Sequence, residues 1–66
     1  MAVTSPCRYA MREIEQDGAV VGYAVHQSWT EDGRLVDRVA KVFSAETAGI
    51  YAAWSCAKSM VEALNG

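Results

Sequence analysis

The sequence predicts an α+β domain: a three-stranded antiparallel β-meander followed by one long C-terminal α-helix, in the order β-β-β-α. Three observations carry this expectation. Between Val20 and Trp29, large apolar residues alternate with small or polar ones, which is the period of a strand. Asp17-Gly18 and Asp32-Gly33 bracket that run, and Asp-Gly is a favoured two-residue hairpin turn. From Ser44 onward the period changes: Ile50, Ala53, Ala57, Met60 and Leu64 recur at spacings of three and four and share one helical stripe.

Residues 1–6 read as a loose arm, and Met1 to Pro6 lacks the charged start and apolar core of a signal peptide. The next segment is ambiguous. As a helix, Ser5 caps it, Pro6 takes the first position, Cys7, Met11 and Ile14 share a face, and Gly18 ends it. As a strand over 8–16, it runs into the Asp17-Gly18 turn and pairs with the following segment. The strand is preferred, since a sheet of two strands is poorly stable. The second strand covers 20–29, with Val21, Tyr23, Val25 and Trp29 alternating with Gly22, Ala24, His26 and Ser28. The third covers 35–43 and leads directly into the helix, expected over 45–64. Ser44 is a suitable N-cap, Glu46 favours the positive end of the dipole, and Asn65-Gly66 can close the C-terminus. Trp54 and Val61 widen the apolar stripe, and Thr47, Tyr51, Ser55, Lys58 and Glu62 fall opposite. Gly49, Ala52, Ala53, Cys56 and Ala57 form a strip of small side chains, suited to close packing on the chain's own sheet or on a second helix.

Two-residue turns fix an expected register. It sets Trp29 opposite Val36, Val25 opposite Ala40, Tyr23 opposite Val42, Ile14 opposite Val21 and Ala10 opposite Val25, all on one face. Arg8, Arg12, Gln27 and Arg38 interrupt that face. The other holds Tyr9, Met11, Val20, Ala24, His26, Val39 and Phe43, with Gly22 leaving room. The helix is expected on the first face, although Phe43, next to the cap, argues for the second.

Sixty-six residues make a single domain over 1–66. A chain of this length buries only about 60% of its unfolded surface and is marginal alone. Small domains compensate with disulfides, a metal or oligomerisation. Cys7 and Cys56 could form one bridge at most, and no zinc spacing is present. Oligomerisation remains, and a hydrophobic fraction of 52% fits a subunit that hides apolar surface in a partner. The net charge of −2 gives no general attraction to nucleic acid or anionic membrane. No run of eighteen apolar residues exists to span a membrane. A cytoplasmic protein with reduced thiols is the expectation.

Candidate chemistry is thin. Ser55-Cys56-Ala57-Lys58 matches the S-x-x-K pattern of serine β-lactamases and penicillin-binding proteins, but their S-D-N and K-T-G elements are absent; it reads as a solvated helix face. His26, the one histidine, could act as a base with Glu13 or Asp37 as orienter, yet a single strand histidine is more often a packing residue. Cys7, Cys56 and His26 are too scattered for a metal site, and Gly18, Gly22 and Gly33 form no phosphate loop. The sequence is therefore read as non-enzymatic, with no cofactor.

Nucleic acid is the main alternative. In the expected register Arg8, Arg12 and Arg38 share a face with Tyr23, Gln27 and Trp29, and arginines with aromatics on a small sheet can grip phosphates and stack bases. The order of three strands then a helix resembles that of the arm-binding domains of tyrosine integrases, whose sheet enters a DNA groove, and of HicB-type antitoxin domains. The resemblance is of element order alone, and the integrase domains are basic where this chain is acidic. The favoured expectation is an interaction module acting as a homodimer, with Tyr9, Tyr23, Trp29, Phe43 and Trp54 as anchors. The candidate nucleic-acid contacts are Arg8, Arg12, Tyr23, Trp29 and Arg38.

Overall fold

The computed structural model describes residues 6–66, so the arm expected over 1–6 lies, apart from Pro6, outside the described residues. Strands β1 (Arg8–Gln16), β2 (Ala19–Glu31) and β3 (Arg34–Ser44) form one antiparallel sheet in the order β1-β2-β3. Helices α1 (Ala45–Ala48) and α2 (Ile50–Asn65) follow. The fold is the α+β class that the sequence predicts, and residues 8–16 are strand rather than helix.

Both Asp-Gly pairs make the expected turns. Asp17 and Gly18 have φ of 52° and 81°, and Asp32 and Gly33 have 52° and 80°. Positive φ at both central positions is the type I′ geometry, whose twist matches that of the flanking strands. Glycine enters this region without strain, and aspartate tolerates it better than most residues.

The expected register holds near each turn and fails further along. Glu15 pairs with Val20 and Gln16 with Ala19, but Ile14 pairs with Gly22, which leaves Val21 as an extra residue. Trp29 pairs with Val36 as expected, but Val25 pairs with Lys41 and Tyr23 with Phe43, which leaves Ala40 extra. Two bulges therefore shift β1 and the second half of β3 by one residue against β2. A shift of one moves every side chain beyond it to the other face. The expected faces are mixed accordingly. One carries Tyr9, Met11, Tyr23, Val25, Gln27, Trp29, Val36, Arg38 and Phe43; the other carries Arg8, Ala10, Arg12, Ile14, Ala24, His26, Asp37, Val39 and Val42.

Helix α2 crosses the first of these faces and touches all three strands. Val25, beneath it, is the one large side chain among the described residues with no exposure. Ala53 and Ala57 are the buried helix residues, so small side chains bring the helix close to the sheet. The small-residue strip is used mainly within the chain, although Ala48, Ala52 and Cys56 line a shallow groove of about 170 Å³ beside Val42 and Phe43.

The helix is not continuous over 45–64. The Ser44 hydroxyl accepts from the Glu46 amide at 3.2 Å and starts α1 as expected. Gly49 then adopts φ 93° and ψ 165° and divides α1 from α2. This backbone region is open essentially to glycine alone, so the glycine that falls inside the helix expected over 45–64 is a joint. Its amide still donates to the Ala45 carbonyl at 2.9 Å, and its carbonyl accepts from Ala53 at 3.1 Å. At the far end, Asn65 docks on the outer edge of β1. Tyr9 N–H donates to Asn65 Oδ1 at 2.9 Å, and Asn65 Nδ2 donates to the Tyr9 carbonyl at 2.8 Å. One side-chain amide thus takes the place of a neighbouring strand's peptide group.

Candidate interface on the open sheet face

The helix is shorter than the sheet it covers. The thirteen residues of β2 span about 40 Å, while the sixteen of α2 span about 24 Å. Where α2 ends, polar groups finish the covered face. Gln27 Nε2 donates to Tyr9 Oη at 3.2 Å, and Arg38 Nε donates to Gln27 Oε1 at 3.1 Å. The Arg38 guanidinium lies 5.7 Å from the Trp29 ring centroid, and Trp29 Nε1 donates to Glu31 at 3.3 Å.

This arrangement locates the five predicted anchors. Tyr9, Tyr23, Trp29 and Phe43 are all on the helix-bearing face, and each is half-buried. Trp54 approaches Tyr23 from the helix; with Tyr23, Ile50 and Tyr51 it lines a shallow apolar groove, its ring 5.9 Å from that of Tyr51. The anchors thus serve first as internal packing, and Tyr51 is the aromatic left outside, 77% exposed.

The predicted nucleic-acid residues are divided. Tyr23, Trp29 and Arg38 are on the helix-bearing face, whereas Arg8 and Arg12 are on the other. The expectation that all five share a face is corrected by the bulge at Val21, which turns β1 over relative to β2. Each of two arginines is also engaged within the chain, Arg38 with Gln27 and Trp29, and Arg12 with Asp37 at 3.5 Å.

The uncovered face is a mixture of apolar and paired charged groups. Leu35, Val39 and Val42 are 76%, 52% and 51% exposed on it. Across its middle, Arg12 of β1, His26 of β2 and Asp37 of β3 form a chain of contacts, with His26 Nδ1 2.8 Å from Asp37 Oδ1. The sequence offered Glu13 or Asp37 as the orienter of His26. The structure shows Asp37 reaching it diagonally from beside Val39, as i, j±2 neighbours on one face do. Glu13 pairs with Tyr23 on the opposite face and does not approach.

Chemically, the His26–Asp37 pair has a base and its orienter but lies on an open strand surface, not in a cleft that could hold a substrate. Ser55 and Lys58 of the S-x-x-K pattern are on α2, where the Lys58 ammonium lies 4.9 Å from the Trp54 ring centroid. Cys7 and Cys56 are exposed free thiols. Among the described residues, no group of three or more His, Cys, Asp or Glu side chains could hold a metal ion, and no helix is long and apolar enough to cross a membrane. No family model, curated protein or solved structure matches the chain.

Proposed function

We propose that this protein is a small non-enzymatic interaction module that acts as a homodimer through its open sheet face. One observation carries the reading. The chain is 52% hydrophobic, yet among the described residues a single large side chain, Val25, is fully buried, while Val39 and Val42 stand half out in solvent on a face that no described element covers. Apolar area left in water forgoes about 25 cal/mol per Å², and a chain this short has little stability to forgo. Burying the face against a second copy recovers that term.

The nucleic-acid alternative requires Arg8 and Arg12 to act with Tyr23, Trp29 and Arg38 from opposite faces of one sheet, which a single strand or groove cannot touch at once. We further propose a cytoplasmic location, a reading supported by the exposed free thiols of Cys7 and Cys56. A dimer mass unchanged by added reductant checks that no intermolecular disulfide takes part. The direct test is Val39→Asp. A carboxylate at this position is expected to leave the monomer folded and to weaken association in light scattering, because it must give up its water in the contact and lies two residues from Asp37 on the same face. A Val39→Asp protein that stays dimeric would place the interface elsewhere.

A further inference from the structure

Resting on the homodimer reading, we propose how the two copies are joined: the open faces stack about a two-fold axis parallel to β2, so that Arg8 of each copy meets Asp37 of the other. A closed dimer needs an isologous contact, and a two-fold axis has three principal orientations relative to a sheet. An axis normal to the sheet joins edge to edge. The β1 edge is occupied at Tyr9 by Asn65, and the β3 edge carries the Ala40 bulge with Arg38 and Lys41 beside it. Covered edges, bulges and cationic residues are the devices that keep strand edges from pairing. An axis in the face but perpendicular to the strands lays β1 on its own copy, and then Arg8 and Arg12 meet arginines.

The remaining axis lays β1 of one copy over β3 of the other, residue level by residue level. Pairing through β2 sets those levels: Arg8, Ser28 and Asp37 share one, Ala10, His26 and Val39 the next, and Arg12, Ala24 and Val42 the next. Arg8 therefore comes over Asp37 of the second copy, small Ala10 over Val39, and the aliphatic stem of Arg12 over Val42. Opposite charges meet at one end of the stacked faces, once on either side of the axis, and apolar contacts follow along the strands. Each Asp37 then has Arg12 and His26 of its own chain and Arg8 of the other, enough donors for a carboxylate in an interface.

The area is adequate. Three strands about 14 Å across and about 30 Å long give a flat footprint of roughly 420 Å² per copy, or about 840 Å² for the two. Side-chain relief brings the two faces together near the 1,200 Å² or so at which stable interfaces begin. The experiment mixes two charge reversals. Arg8→Asp and Asp37→Arg, each alone, set like charges across the axis, and each is expected to dissociate at least about tenfold more readily than wild type by sedimentation. Mixed in equal amounts they form a heterodimer, since both contacts are then of opposite sign. If wild type is dimeric but the reversals associate as it does, or the mixture does not recover, this axis is wrong while the homodimer reading stands. A monomeric wild type removes both. Should Asp37→Arg not fold, the exposed Arg8 position still decides: Arg8→Asp must weaken the dimer and Arg8→Lys must keep it.

Discussion

Gly22 has no room for a methyl group. A Cβ built there falls 2.6 Å from the Phe43 carbonyl oxygen and 3.3 Å from Ser44 Cα, both backbone atoms. The neighbours cannot give way as a flexible side chain would, so Gly22→Ala is expected to lower stability by about 1–3 kcal/mol. An unchanged urea midpoint would show that the β2–β3 ladder is looser here than described. Asn65 is a second position where one group matters more than its exposure implies. Asn65→Asp keeps an acceptor for the Tyr9 amide but turns the donor toward the Tyr9 carbonyl into a second acceptor. It is expected to cost about 1 kcal/mol and to speed exchange of the Tyr9 amide proton; equal exchange in both proteins would mean that the docking is incidental. The turn residues Asp17, Gly18, Asp32 and Gly33 were legible because their type determines their backbone. Asn65 was legible only as a helix terminus, since nothing local in the sequence says that its amide will serve a strand fifty-six residues away.

At the scale of elements, the strands and turns follow from period and turn chemistry, and the faces do not. A bulge adds one residue to one side of a ladder and leaves no compositional trace at Val21 or Ala40. Two unmarked insertions were enough to reassign half of each sheet face, and with it the arginine–aromatic group. The helix lies over Tyr23 and Val25 of the expected first face, and Phe43 joins them there because the Ala40 bulge moves the end of β3 to that side. The helix break offers a test of sign. If Gly49 lay in a helix interior, Gly49→Ala would stabilise by about 1 kcal/mol. With φ 93° and ψ 165°, the alanine is strained and should instead destabilise by about 1–3 kcal/mol. A rise in the thermal midpoint would mean that α1 and α2 are one helix.

For the whole molecule, the open face governs behaviour. If two copies cover it, folding and association are one reaction, and the melting temperature rises with protein concentration. Asp37 lies on the edge strand β3 of that face, tied to Arg12 and His26; the sequence offered it as a partner of His26, but its contact with Arg12 became legible only once β1 and β3 were placed around β2. The central claim, that this sheet is half an interface, is tested most directly by sedimentation equilibrium of the unmodified protein across a concentration series. The account predicts a mass approaching twice the 7.2 kDa of one chain as concentration rises. A mass that stays at that of a single chain at every concentration would contradict it.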